Sequence, residues 1–226
     1  MKKVTQLTLA TAIAAASAIS APAMADISTN IGAGSDYVWR GVSQTGNGAA
    51  VSGGIDFESD SGFYTGTWIS NTASGSSETD IYAGFNFDLG SDMSLTLGGI
   101  GYLYPTSETN ANFGEVHADF AVAGFSAGVA VTVISEIEDD AYTEGDVFYY
   151  IGYGADLGGD WSLGGTYGFY DFDADSDENE ISYGYIQLDL GKSVGEFGDL
   201  TFSVSIADEE SGTDQPLTFV SWSKGF

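Results

Sequence analysis

The stretch Asp80-Ile81-Tyr82-Ala83-Gly84-Phe85-Asn86-Phe87-Asp88-Leu89, followed by Gly90-Ser91-Asp92, decides the fold class. In an extended chain Ile81, Ala83, Phe85, Phe87 and Leu89 share one face, and Asp80, Tyr82, Gly84, Asn86 and Asp88 share the other. Period 2 with one apolar face is the pattern of a strand, and the Gly/Ser/Asp run after it is turn chemistry. Residues 147–157 repeat it with Val147, Tyr149, Ile151, Tyr153, Ala155 and Leu157. Twelve such segments follow one another, near 27–39, 49–57, 62–71, 80–89, 93–104, 113–123, 124–135, 146–157, 161–171, 180–190, 199–207 and 216–226.

Composition agrees. The 226 residues include 32 Gly, 13 Tyr and 14 Phe, an all-β usage, and 43% hydrophobic content is too much for a disordered chain. Thirty-three acidic residues against five basic ones give a net charge of −28. That excludes nucleic acid as a partner, because neutralising phosphate needs Lys and Arg.

Met1-Lys2-Lys3, an Ala-rich apolar stretch from about Val4 to Ile19, and Ala23-Met24-Ala25 have the layout of a cleaved signal peptide. Residues 1–25 are therefore expected to be removed, leaving 26–226 as one domain. The 201 remaining residues carry −30, since Lys2 and Lys3 are lost and no acid is. Cys is absent, which excludes a disulfide staple. No mature stretch reaches the ~20 apolar residues of a spanning helix. A soluble periplasmic domain and an outer-membrane barrel are the two classes left.

The connections choose between them. Short ones (Glu58 to Ser61, Gly90 to Asp92, Ala123-Gly124, Gly158 to Asp160 and the somewhat longer Gly191 to Gly198) alternate with long polar ones (Asn71 to Thr79, Pro105 to Asn112, Glu136 to Gly145, Asp171 to Asn179 and Asp208 to Gln215). Outer-membrane barrels have short periplasmic turns, long extracellular loops and an even strand count. The expected fold is all-β, a closed antiparallel transmembrane β-barrel of about twelve strands, with ten or fourteen as alternatives. Closure follows because lipid tolerates no open edge. Outer-membrane lipid and lipopolysaccharide would surround it, and Phe226 at the end of an alternating last strand is the expected signal to the barrel-assembly machinery. Tyr37, Trp39, Phe57, Phe87, Phe113, Trp161 and Phe169 are expected to form interfacial girdles.

Five segments end alike: Ile55-Asp56-Phe57, Phe87-Asp88-Leu89, Ala118-Asp119-Phe120, Ala155-Asp156-Leu157 and Leu188-Asp189-Leu190. Strand parity turns Asp56, Asp88, Asp119, Asp156 and Asp189 inward. They would form a carboxylate ring favouring cations, with Arg40 and Lys192 as the competing inner cations. The plainer role is capping of the turn that follows, which fits Asp88, Asp156 and Asp189 best. Inward Gly84, Gly98, Gly128, Gly152, Gly154, Gly164 and Ser162 argue for an open lumen.

Sixteen acids crowd three loops, Glu136 to Asp146, Asp171 to Glu180 and Asp208 to Asp214. Asp171-x-Asp173-x-Asp175 lacks the Gly and distal Glu of an EF-hand, so solvated, self-repelling loops are expected, with divalent bridging to lipid headgroups as the alternative. No cofactor is implied. His117, the only histidine, lies on the inward face with Glu115 and Asp119. Positions i and i+2 on a strand are about 6–7 Å apart, too far for a direct orienting bond unless the side chains lean. No nucleophile motif accompanies His117, so no catalytic residue is assigned. Arg40, the only mature Arg, is expected inward, like Asp36, near the extracellular end, as a structural ion pair across the lumen or as a cation that grips a solute.

Ser35-Asp36-Tyr37-x-x-Arg40-Gly41-Val42-Ser43-Gln44-Thr45 is similar to the opening signature of the TorF family of porins. So are Gly53-Gly54-Ile55-Asp56-Phe57, Gly62-Phe63-Tyr64-x-Gly66-x-Trp68-x-Ser70-Asn71 and Glu78-x-Asp80-Ile81-Tyr82-Ala83-Gly84. Ala49 departs from it, where a Pro is expected. The resemblance implies a proteobacterial outer-membrane barrel with a transport role and no catalytic residues. Passive diffusion of small cationic or neutral solutes is the leading functional expectation. A structural or adhesive barrel with a filled lumen, acting through its acidic loops, is the alternative. A barrel hydrolase built on His117 is the minor one.

Overall fold

The computed structural model describes residues 26–107, 111–137, 141–176, 180–213 and 215–226. The expected signal peptide, residues 1–25, lies outside them. Twelve strands close into an antiparallel barrel: β1 (Asp26–Gly34), β4 (Ala50–Glu58), β5 (Phe63–Asn71), β6 (Ser77–Gly90), β7 (Met93–Leu103), β8 (Phe113–Val122), β9 (Phe125–Ser135), β10 (Val147–Gly158), β11 (Trp161–Asp171), β12 (Tyr183–Ser193), β13 (Asp199–Ala207) and β14 (Leu217–Gly225). Each strand pairs with its sequence neighbours, and β1 with β14 shuts the seam through Asn30↔Gly225 to Gly34↔Ser221. Phe226 extends the seam, its N–H donating to the Thr29 carbonyl at 2.8 Å.

The short turns are built as the sequence dictates. Ser91 and Asp92 (φ 55° and 60°) and Ala123 and Gly124 (φ 48° and 87°) both take positive φ at the two central positions, the hairpin geometry that matches strand twist. Gly62 permits the β4–β5 turn, because at φ +81° a Cβ there would lie 2.1 Å from the Asn86 carbonyl oxygen.

Outward positions form an apolar belt, with Ile81, Ile151, Leu188 and Val116 about half exposed. A soluble chain could not leave such a surface in water, whereas lipid covers it. The packed core lies inside the barrel, where Trp39, Tyr102, Phe113, Phe148, Tyr170, Phe172, Tyr183 and Tyr185 form one buried cluster.

The first strand is shorter than its alternation predicts. It stops at Gly34, and residues 35–49 turn into the lumen carrying a small hairpin, β2 (Val38–Trp39) with β3 (Val42–Ser43). Tyr37 and Trp39 continue the alternating pattern, but their target is the aromatic interior rather than lipid. With Phe113 they are core residues, not girdle residues. Not every inward glycine opens the lumen. Gly98 and Gly128 make room for side chains laid across the wall: a Cβ at Gly98 would sit 2.3 Å from the Tyr64 hydroxyl, and one at Gly128 2.5 Å from the Tyr150 ring.

Candidate functional site

The inserted segment is shaped by its own polar residues. Asp36 accepts bonds from the Ser43 and Thr45 hydroxyls at 2.7 and 2.6 Å, folding the segment back on itself. Arg40 and Gly41 form its tip with φ 47° and 86°. Gly41 has no room for a side chain, since a Cβ would meet that of Tyr185 at 2.8 Å.

From that tip Arg40 reaches the wall. Its two terminal nitrogens donate to the two Glu115 oxygens at 2.7 Å each. The guanidinium carbon lies 4.3, 3.9 and 4.8 Å from the ring centroids of Trp39, Phe148 and Tyr170. Glu115 also accepts from Tyr170 at 2.9 Å and Tyr102 at 3.2 Å, and Tyr183 donates to the Arg40 carbonyl at 3.0 Å. The pair is sealed, with side chains 3% and 1% exposed. Burying two charges demands such saturation: a fork-to-fork pair, further donors on the carboxylate, and aromatic faces around the cation. Arg40 therefore forms a structural ion pair with Glu115 of β8.

Beside this pair, Tyr37 and Tyr104 donate to Glu78 at 2.7 and 2.6 Å, and Tyr37 packs edge-on against Trp68. Asp80 is buried next to them, and its Oδ1 has no hydrogen-bond partner among the described residues. Sequence reading passed over Glu78 and Asp80, although both share inward parity with Tyr82.

The histidine does lean. His117 Nδ1 meets Asp119 Oδ2 at 2.6 Å despite the strand spacing. The Tyr64 hydroxyl faces His117 Nε2 at 3.4 Å, and Tyr150 donates to Asp119 at 2.9 Å. The partner of the second ring nitrogen is thus a phenol rather than a serine, which is not the arrangement of a hydrolase. Among the described residues no cluster of His, Cys, Asp and Glu could hold a metal ion.

The five repeated aspartates separate into two groups. Asp88 and Asp156 accept from the Gly90 and Gly158 N–H groups at 2.8 and 2.6 Å, capping their turns. Asp56 binds Tyr82 and Asn30, Asp119 binds His117 and Tyr150, and Asp189 accepts from Ser203 at 2.6 Å and Gln187 at 3.0 Å. Asp189 is no turn cap. Instead of one ring of free carboxylates, three bonded carboxylates face the lumen and two hold turns. Lys192 is not an inner cation: it sits at the rim opposite outward Trp161, donating to the Gly159 carbonyl at 2.7 Å.

Several loop acids are bonded to backbone rather than merely solvated. Asp146, wholly buried, accepts from the Thr143 N–H and, across to the next long loop, from the Asp173 N–H, both at 2.8 Å. Burial pushes its carboxyl up from the ordinary range. Asp175 accepts from the Ile181 and Ser182 N–H groups at 2.5 and 3.0 Å, and those bonds hold its carboxyl below that range. Glu138, Asp139, Asp140, Asp177, Glu178 and Asp214 lie outside the described residues.

Closed barrel, lipid-facing belt and polar, carboxylate-bearing interior define a twelve-strand transmembrane barrel of the bacterial outer membrane. The chain belongs to the Gcw_chp family, described as bacterial proteins of unknown function, whose pattern matches residues 17–225. Its fold is similar to that of the KdgM porin (10% identity, TM-score 0.56, covering 88% of this chain and 98% of that one). It is also similar to the KdgM porin in complex with disordered oligogalacturonate (9% identity, TM-score 0.57, covering 88% and 97%). The NanC porin is a further likeness (10% identity, TM-score 0.52, covering 88% and 98%). At these identities the likeness is one of fold. No curated protein matches the sequence.

Proposed function

We propose that the protein is a porin-like channel for small cationic or neutral solutes, narrowed in its extracellular half by the inserted segment 35–49. The observation that carries the reading is the charge of the lumen. Its one inward arginine is neutralised by Glu115, while the carboxylates of Asp56, Asp119 and Asp189 face the interior. Such a lining attracts cations and repels anions. A polyanion such as the oligogalacturonate in the KdgM structure would find no free lumen cation among the described residues. The similarity of residues 35–84 to the TorF family of porins supports the same role.

Residues 1–25 act in this reading as the cleaved signal peptide, lipopolysaccharide and outer-membrane lipid contact the apolar belt, and Phe226 presents the last strand to the barrel-assembly machinery. Single-channel recording of refolded protein under a salt gradient tests the proposal: discrete steps with a cation-selective reversal potential are expected, and anion selectivity contradicts it. One observation favours a second reading. Arg40, Tyr102 and Tyr170 are at most 4% exposed, a packing that suits a structural or adhesive barrel acting through its loops, for which folded protein would be silent.

A further inference from the structure

We propose that the cavity filled by Arg40 is a binding site for guanidinium-bearing solutes, with Arg40 occupying it as a tethered stand-in. The inference deepens the channel reading, because it names a solute class for the same lumen. A guanidinium is recognised by a carboxylate that meets its fork and by aromatic faces over its plane. The carboxylate and two of the three aromatic faces, Phe148 and Tyr170, are supplied by the barrel wall, and the third, Trp39, by the segment that carries Arg40. Glu115 stands on β8, oriented by Tyr102 of β7 and Tyr170 of β11, and Phe148 of β10 lies 3.9 Å from the guanidinium carbon. The receptor half of the contact is therefore built into rigid strands.

The occupant comes from a short connecting segment. Its hairpin has two residues per strand, and Arg40 sits at the positive-φ tip. The roof over the site is Tyr142 and Phe172, from the two long loops joined through Asp146 and Asp173. Tyr142 holds φ 68°, a conformation unfavourable for a bulky residue. The extracellular loops thus cover the site.

A second observation points to a ligand larger than the arginine head. Asp80, 3% exposed, lies directly across from Tyr102 in the β6–β7 register, and its Oδ1 has no partner among the described residues. The Arg40 Nε is likewise without one. Buried polar atoms are normally satisfied. A solute bearing a second donor would satisfy Asp80, which the tethered side chain leaves unpaired.

Chemical rescue tests this. Refolded Arg40→Ala protein in detergent is titrated with methylguanidinium, with urea as the neutral analogue, by calorimetry and by Trp39 emission. Saturable binding of methylguanidinium but not urea is expected, weakened about tenfold or more in Arg40→Ala/Glu115→Gln. If Arg40→Ala folds only when methylguanidinium is present, judged by heat-modifiable gel mobility, the site is equally demonstrated. Folded protein that ignores methylguanidinium, equal binding of urea, unchanged binding in the double variant, or failure to fold with either compound overturns the proposal. The outcome is separate from conductance. A silent barrel that binds keeps the site and ends the channel reading, and a conducting barrel that does not bind does the reverse.

Discussion

The Arg40 guanidinium and the Glu115 carboxylate, 75 positions apart in sequence, meet through two parallel 2.7 Å bonds inside the barrel. The contact ties the tip of the inserted segment to the wall, and its energetics are those of a sealed ion pair. The desolvation of both charges nearly cancels their attraction, so the pair contributes little net stability, but an orphaned partner is costly. Arg40→Ala is predicted to destabilise the barrel by about 3–5 kcal/mol. Arg40→Met/Glu115→Gln is predicted to recover most of that loss. Urea unfolding followed by tryptophan emission checks both, and equal destabilisation by single and double variants would contradict the argument.

The two groups of repeated aspartates are predicted to behave differently. Asp119→Asn and Asp189→Asn remove lumen charge and shift the reversal potential toward zero, because each carboxylate faces the interior. Asp88→Asn and Asp156→Asn leave selectivity unchanged and cost about 1 kcal/mol through weakened turn caps. Bilayer recordings and unfolding curves on the four variants separate the groups. A uniform shift in selectivity across all four would restore the single ring.

Acid should act on the two long loops with opposite sign. Asp146 is raised by burial, so its contribution is greatest below the ordinary aspartate range and falls as pH rises through the raised value. Asp175 is lowered by the Ile181 and Ser182 N–H groups, so its contribution is present above that range and lost as pH falls through the lowered value. On acidification the Ile181 and Ser182 amides are predicted to lose hydrogen-exchange protection while Thr143 and Asp173 keep theirs. The opposite order would contradict the assignment.

The wall was legible in the sequence because a strand with one face in lipid and one in the lumen writes its geometry as strict alternation, seen in residues 80–89 and 147–157. Turn chemistry supplied the strand count. The interior was harder to read. Tyr37-Val38-Trp39 extends the alternation past Gly34, and an apolar residue looks the same whether its target is lipid or an aromatic core. A usable signal was present nonetheless: Tyr102, Phe113, Tyr170, Tyr183 and Tyr185 all fall on inward parity near the extracellular strand ends. Such residues do not line a water-filled mouth unless something packs on them. The His117–Asp119 bond stays open in the sequence for a different reason, since backbone spacing fixes Cβ separation but not the tilt of the two side chains.

In the proposed channel, segment 35–49 is the constriction. The most direct measurement compares the conductance of the wild-type barrel with a variant in which residues 36–48 are replaced by a short Asn-Gly turn. The shortened variant is expected to fold and to conduct several-fold more than wild type, with the preference for cations retained. Equal conductance in the two, or a shortened variant that is folded and silent, would contradict it.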